Sequence, residues 1–201
     1  MRPPRTPFTK GTYIGLIGKV LYLIALFLPW YSLMVTVDSG AYSTHGWVEL
    51  VHIDGIRGVQ INELLTGGHN PTQNTFIPIP ISWIMLAFFI YSIYSIFTTR
   101  TARSRGWKFF RGGIVLVIIF VVLYILIEQL PNFIPGNSPA PLRDLLDYIV
   151  AYPFLGNTSQ DFGTWGKVHA QWGLQAGGFL LMISAIVQIL GGFMEWGSRK
   201  R

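Results

Sequence analysis

The sequence contains no cysteine and little charge. Of its 201 residues 12% are charged, about half the fraction that is typical of a soluble domain, whereas 51% are hydrophobic. Without cysteine the chain has no disulfide framework, thiolate zinc site, iron–sulfur cluster or catalytic thiol. The apolar residues form long blocks rather than an amphipathic alternation, so the composition predicts an integral membrane protein.

The few charges are unevenly placed. The net charge is +6, and eleven of the fifteen Lys and Arg residues fall in three short clusters, at 2–10, 100–111 and 199–201. Each cluster flanks an apolar block. This is the positive-inside pattern of membrane proteins rather than that of a basic nucleic-acid-binding arm, so we predict no nucleic-acid partner.

Four apolar blocks approach the length of about 20 residues that a bilayer-spanning helix needs. They cover approximately residues 13–35, 77–97, 113–130 and 172–194. If the three basic clusters are cytoplasmic, both termini are cytoplasmic, and the loops 36–76 and 131–171 lie on the outer side of a plasma or cytoplasmic membrane. We therefore predict an all-α, multi-pass fold in which residues 1–201 form a single four-helix membrane domain.

Both outer loops carry signals of local structure. In the first, residues 47–53 are rich in β-branched and aromatic side chains, Asp54-Gly55 is a turn signal, and residues 58–62 can return antiparallel, which predicts a small β-hairpin or sheet. In the second, residues 141–151 have the pattern of a short amphipathic helix. Asn157-Thr158-Ser159 matches the acceptor pattern for N-glycosylation.

Small residues recur along one face of the first and last predicted spans. Such stripes let two membrane helices approach closely, so they predict helix contacts within the chain or with another subunit. The first stripe also includes Tyr22 and Pro29, and the second includes Gln188. The predicted helix-interface residues are Gly11, Gly15, Gly18, Ala25, Gly173, Gly177, Ser184 and Gly191.

Aromatic residues mark the ends of the predicted spans, where amphipathic rings prefer to lie. The predicted interfacial anchors are Trp30, Tyr31, Trp83, Trp107, Trp172 and Trp196.

Residues that could carry chemistry are sparse. Two ionisable residues stand inside the predicted spans, Lys19 and Glu128, and such residues are costly there. The histidines are the candidates for a metal site, although no two have the spacing that presents a pair of ligands from one element. They are His45, His52, His69 and His169. We predict no cofactor and no enzymatic activity.

The chain resembles the claudin-like tetraspan proteins in its predicted four spans and β-rich first loop. Trp30, within Leu28-Pro29-Trp30-Tyr31, and Trp47, after Gly46, resemble the two loop tryptophans of that family's signature. The cysteine pair that should follow the second tryptophan is absent. The resemblance therefore implies a similar architecture, and it carries over no pore or adhesion residues.

These patterns favour a non-catalytic accessory or scaffold subunit of a membrane complex. Its expected partners are membrane lipids and other integral membrane subunits, or further copies of itself. Two alternatives stay open. One is a small oligomeric channel or transporter, with Glu128 and the acidic loops concentrating cations at its outer mouth. The other is a metal- or haem-associated subunit of a redox complex that uses the outer histidines.

Overall fold

The computed structural model describes residues 6–38, 47–61, 82–129, 132, 140–161 and 166–198. Within these residues the chain forms five helices and five strands. In chain order they are α1 (Lys10–Leu26), β1 (Pro29–Asp38), β2 (Val48–Asp54), β3 (Gly58–Ile61), α2 (Ser82–Thr98), α3 (Ala102–Glu128), α4 (Ala140–Ala151), β4 (Leu155–Asp161), β5 (Lys167–Leu174) and α5 (Ala176–Gly197).

One half of the molecule is built around α1, α3 and α5. Helix α5 runs antiparallel to α1, because Gly11 at the start of α1 faces Glu195 near the end of α5, while Gly18 faces Gln188. It also runs antiparallel to α3, because Gly106 faces Gly192. The N-terminal ends of α1 and α3 and the C-terminal end of α5 therefore meet. We call this the basic end, because Arg100 and Arg103 lie there.

The other half is a five-stranded antiparallel sheet with the strand order β3-β2-β1-β5-β4. Strand β1 is central, and its buried side chains pack with those of β2 and β5. Helix α4 adds further buried residues to this core. The buried apolar side chains of the sheet half are Trp30, Tyr31, Leu33, Val35, Leu50, Val51, Ile53, Leu145, Leu146, Ile149, Ala170, Trp172 and Leu174.

The two halves are joined where helices pass directly into strands. Strand β1 begins three residues after α1 ends, and Gln175 alone separates β5 from α5. The Gln175 backbone N–H donates to the carbonyl oxygen of Trp30 at 2.9 Å, and its side-chain amide donates to Ser32 Oγ at 2.8 Å. These bonds hold the two crossings side by side, opposite the basic end.

The predicted all-α, four-span fold is wrong. Besides its helices the described chain has the five-stranded sheet, and among its helices two are long and apolar enough to cross a membrane, α3 with 27 residues and α5 with 22. Helices α1 and α2 have 17 residues each. The four-span prediction counted apolar residues, and that count does not distinguish a membrane helix from a buried strand.

The first and last predicted spans show this error most clearly. The first span was expected to reach residue 35, but its helix ends at Leu26 and the chain continues as β1. Pro29 disfavours a helical conformation at the preceding residue. The alternation of large apolar with smaller or polar side chains that follows it suits a β-strand, and this strand pairs on both edges. In the last predicted span, residues 172–174 belong to β5 rather than to the helix.

The local predictions for the two loops correspond to elements of the structure. Strands β2 and β3 form an antiparallel hairpin with Asp54 paired to Gly58, and α4 covers the segment predicted as an amphipathic helix. Strands β1, β4 and β5 were not predicted. The start of the second predicted span, residues 77–81, lies outside the described residues.

Candidate functional site

Glycines bring α1 and α5 into direct backbone contact. A Cβ atom at Gly11 would collide with the backbone nitrogen of Glu195, and one at Gly191 would collide with that of Gly15. At Gly18 it would lie 2.6 Å from Gln188 Cγ. Contact this close is typical of helix pairs that pack through small residues in a membrane.

Helices α3 and α5 approach each other in the same way. A Cβ at Gly106 would lie 2.7 Å from the carbonyl oxygen of Gly192, and one at Gly113 would lie 2.8 Å from that of Ala185. Helix α5 therefore presents small residues to α1 and to α3 at once.

The other residues of the predicted stripes also contact this chain. Ala25 and Ser184 are buried, and a Cβ at Gly177 would lie 2.5 Å from the carbonyl oxygen of Leu28. Gly173 is not in a helix. It lies in β5 with a φ of 145°, a conformation that glycine tolerates and other residues rarely adopt.

A buried ion pair joins α3 to α5 at the basic end. Arg105 donates from Nε and Nη2 to Glu195 Oε1, at 3.2 and 3.0 Å, and the two side chains are 1% and 0% exposed. The remaining guanidinium hydrogens reach the N-terminal segment, where Nη1 donates to the carbonyl oxygen of Thr6 at 3.0 Å and Nη2 to that of Pro7 at 2.7 Å. Arg105 thus connects three parts of the chain.

The second oxygen of Glu195 ties the start of α1 to the same cluster. Thr12 Oγ1 donates to Glu195 Oε2 at 2.7 Å, and Thr9 Oγ1 donates to the same oxygen. The two threonines also cap α1 reciprocally through their backbone N–H groups. We call Thr9, Thr12, Arg105 and Glu195 the Arg–Glu cluster; its buried charges are compensated by this dense set of hydrogen bonds.

A second polar group, the lysine cluster, lies about two turns further along the helices and comprises Lys19, Ser184 and Gln188. Ser184 Oγ donates to the carbonyl oxygen of Gly18 at 2.8 Å, and Gln188 Nε2 donates to Ser184 Oγ at 2.9 Å. Lys19 Nζ and Gln188 Oε1 are buried and have no hydrogen-bond partner among the described residues.

Gly112 of α3 makes room for the lysine cluster. A Cβ at this position would lie 2.6 Å from Lys19 Nζ and 2.7 Å from Gln188 Oε1. A donor and an acceptor therefore face the same space between three helices. The interior of this half combines glycines and hydrogen-bonding groups with buried apolar side chains such as Phe109, Leu116 and Leu181.

The predicted interfacial aromatics divide into two groups. Trp107 and Trp196 are half exposed at the basic end, whereas Trp30, Tyr31 and Trp172 are buried in the core. The indole of Trp30 donates to the carbonyl oxygen of Ala25 at 2.7 Å, and that of Trp172 donates to the carbonyl oxygen of Tyr152 at 2.9 Å. These three side chains therefore face the interior of the protein rather than its surface. The side chain of Trp83 lies outside the described part.

Tyr31 is fully buried in the sheet half. Its hydroxyl has no hydrogen-bond partner among the residues that the structure describes, and burial raises the pKa of this hydroxyl above its ordinary value of 10.0.

The two histidines that the structure describes, His52 and His169, lie apart. His52 lies in β2, where its ring nitrogens contact Glu49 Oε1 at 2.8 Å and Asp54 Oδ2 at 3.1 Å. His169 lies two strands away in β5, opposite Thr36 of β1. His45 and His69 fall outside the described ranges. In the ranges that are described, no three His, Asp or Glu residues form a group that could hold a metal ion.

Two further predicted residues lie near the sheet half. Asn157, the candidate for glycosylation, is exposed on β4, an outer strand of the sheet. Glu128 is exposed at the last residue of α3.

The sequence interpretation missed Arg105 and Glu195. Arg105 was grouped with the basic cluster, although it is buried and paired. The signal that could have revealed Glu195 is its spacing: it lies four residues after Gly191, on the small-residue face of an otherwise apolar helix. An acidic residue on such a face needs a buried partner.

Comparison of the chain with protein-family models, curated proteins and solved structures finds no match. The resemblance to claudin-like proteins stays a prediction, and function is inferred from the chemistry of the described residues.

Proposed function

We propose that this chain is a non-catalytic integral membrane protein that acts as an accessory or scaffold subunit of a membrane complex. The observation that carries the proposal is the distribution of residues around α5. Its buried positions include Gly177, Ser184, Gln188, Gly191 and Glu195, whereas its exposed positions are large and apolar. The large apolar residues that α5 exposes are Phe179, Met182, Ile183, Ile186, Leu190, Phe193, Met194 and Trp196.

This distribution is the reverse of that of a helix in a water-soluble protein, which buries its apolar face. Helix α3 supports the same interpretation, because Val117, Ile118, Val121, Val122 and Ile125 are all exposed. Exposing this much apolar surface to water would be unfavourable, while lipid solvates it without cost. We therefore propose that α3 and α5 cross the bilayer and that the basic end faces the cytoplasm.

The partner surfaces must differ from the predicted small-residue stripes, because those stripes are occupied within the chain. Two surfaces remain available among the described residues. One is the outward side of α2, where Ile84, Tyr91 and Tyr94 are 70%, 69% and 67% exposed. The other is the sheet half, which projects beyond α3 and α5 at the end opposite the arginines.

Site-specific photo-crosslinking in native membranes tests this proposal. A photoreactive amino acid at Tyr91 of α2 or at Asn157 of β4 should yield discrete crosslinks to other membrane proteins or to a second copy. In the matched control the same photoreactive amino acid replaces Phe27, and it should give no such crosslink. Phe27 is 64% exposed but lies at the junction between the two halves, outside both proposed partner surfaces. The proposal fails if no site yields a crosslink and the purified chain is a monodisperse monomer in mild detergent.

One observation favours a small channel or transporter as a second candidate. An ionisable residue inside a membrane marks a functional site by default. Lys19 is buried, and its amine lies 5.9 Å from the centre of the Phe88 ring but makes no hydrogen bond among the described residues. Ion or proton flux in reconstituted liposomes that disappears in Lys19→Met, but survives in the exposed Lys10→Met, would favour this function. Liposomes without flux would remove it.

A further inference from the structure

Two clefts lie one after the other along the α3–α5 pair, and we call this line of clefts the groove; the first cleft, of about 560 Å³, lies at the basic end. Thr101, Arg103 and Ser104 line its mouth. Its deeper walls are aromatic side chains of both helices, together with the close glycine contact described above. These aromatic residues are Trp107, Phe110, Phe193 and Trp196.

A second cleft, of about 450 Å³, lies further along the same two helices. Val117 lines it from α3 and Ile186 from α5, each seven residues from a residue of the first cleft, Phe110 and Phe193. Seven residues are nearly two helical turns, so the two clefts lie on the same side of the pair, about 10 Å apart. The lining of the second cleft is apolar throughout.

Charge distinguishes the two ends of this groove. Arg103 lines the mouth, and the first turn of α3 there contains no acidic residue. Of the acidic residues that the structure describes, Glu195 alone lies at this end, and Arg105 already binds it. An anion at the mouth would meet uncompensated positive charge and two hydroxyl groups, Thr101 and Ser104.

We propose that this groove binds one anionic phospholipid, whose phosphate lies at Arg103 and whose acyl chain follows the groove into the second cleft. The proposal rests on the membrane location proposed above. The dimensions are compatible at the near side of the second cleft, because Val117 and Ile186 lie ten residues, or about 15 Å along the helices, from Trp107 and Trp196. One leaflet contributes about 15 Å of a hydrocarbon core about 30 Å thick, so an acyl chain that starts at the tryptophans reaches these two residues. Half-exposed Trp107 and Trp196 mark the level at which the headgroup would sit.

Native mass spectrometry of the full chain in mild detergent, with added lipid, measures this binding. Phosphatidylglycerol should bind at one molecule per chain and more tightly than phosphatidylcholine, whose choline would place a cation beside Arg103. Arg103→Gln should weaken the binding of phosphatidylglycerol about fivefold, the effect of one basic residue at an anionic lipid surface. Arg57→Gln is the matched control, because Arg57 is exposed in the sheet half.

A second pair of variants tests the position of the acyl chain. Val117→Trp would fill the second cleft and should weaken the binding of both lipids, whereas Val122→Trp, at a similarly exposed valine outside the lining, should not. Glycerophosphate, which has the headgroup chemistry without acyl chains, should not displace the lipid.

The proposal is overturned if Arg103→Gln and Arg57→Gln bind phosphatidylglycerol equally, if Val117→Trp binds like Val122→Trp, or if glycerophosphate displaces the lipid. Extraction of membranes with alkaline carbonate separates this failure from failure of the proposed function. If carbonate releases the chain, the membrane location is wrong. If the chain is retained and the lipid contrasts are absent, the lipid site alone is wrong.

Discussion

In α1 and α5 fourteen of the seventeen buried positions are glycine, alanine or polar residues, the exceptions being Tyr22, Leu26 and Leu181, whereas the sheet half buries mostly tyrosine, leucine, isoleucine, valine and tryptophan. The helical half is stabilised by close backbone contact and buried hydrogen bonds. The sheet half is stabilised because folding removes apolar surface from the solvent. The first strategy suits a helix surrounded by lipid, because lipid offers no hydrophobic drive for helix association. The second suits a fold surrounded by water.

The two halves should therefore respond to opposite changes in side-chain volume. At its close glycine contacts the helical half has no room for an added methyl group, while the sheet half depends on the atoms that it already buries. Of the following four substitutions, Ile149→Ala and Gly11→Ala test this difference, and Arg105→Met and Tyr31→Phe test a buried polar group in each half. They run from the largest expected effect on the free energy of unfolding to the smallest.

Arg105→Met should be the most destabilising change, by about 3–5 kcal/mol, because it leaves the Glu195 carboxylate buried without its ion-pair partner. Thermal and denaturant unfolding in mild detergent would measure the loss. The double variant Arg105→Met, Glu195→Met should recover much of the stability, since it removes both buried charges. Equal destabilisation by Arg111→Met, at an exposed arginine of the same helix, would contradict this prediction.

Ile149→Ala should destabilise the sheet half by about 2–5 kcal/mol, because it removes a fully buried side chain of α4 and leaves a cavity. Ile56→Ala makes the same change at a side chain that is 47% exposed in the turn between β2 and β3, and it should cost much less. Chemical denaturation followed by near-UV circular dichroism compares the two variants. Similar midpoints would show that this core is not held by apolar burial.

Gly11→Ala should destabilise the helical half by about 1–3 kcal/mol, because the added methyl collides with the backbone of α5 at Glu195. Gly197→Ala is the control, since a Cβ there meets nothing within 4 Å. That change should be neutral or slightly stabilising, because alanine favours a helix over glycine. Thermal unfolding in detergent distinguishes them, and a stable Gly11→Ala variant would rule out the close contact.

Tyr31→Phe should have the smallest effect at neutral pH, stabilising the fold by up to about 1 kcal/mol, because it removes a buried hydroxyl that lacks a described partner. The direction in which the free energy of unfolding changes with pH follows from the raised pKa of this hydroxyl. The unfolded chain ionises near pH 10 and the folded chain does not, so wild-type stability should fall as the pH rises above 10. Above pH 10 the free energy of unfolding of Tyr31→Phe should fall less steeply with pH than that of the wild type. If the two proteins give parallel curves of stability against pH, the hydroxyl of Tyr31 is not the group that titrates.

Part of this fold was predictable because it depends on local patterns. The hairpin of β2 and β3 follows from β-branched residues around Asp54-Gly55, and α4 follows from its apolar spacing. Strand β4 was not predictable, because Leu155–Asp161 is mostly polar and becomes a strand through its pairing with β5. Strand β5 carries a usable signal in the alternation of Val168, Ala170, Trp172 and Leu174, but the predicted boundary at residue 172 divides this alternation between the second outer loop and the last span.

The residues that form the helix contacts were largely predictable from the sequence, but which helices they join was not. The spacing of Gly11, Gly15 and Gly18 indicates a close helix contact, but a stripe does not specify which helix it faces. The pairing of Arg105 with Glu195 joins residues 90 positions apart, and it depends on the antiparallel arrangement of α3 and α5. Information of this kind comes from the assembled bundle.

Site-directed spin labelling tests the proposed membrane location, and the cysteine-free sequence allows single cysteines without other changes. One label replaces Ile186 on the exposed face of α5 and another replaces Asn157 on β4. In native-lipid vesicles the label at 186 should collide with oxygen and be shielded from a water-soluble nickel chelate, while the label at 157 should show the reverse. Equal access of the chelate to both labels would contradict the membrane assignment.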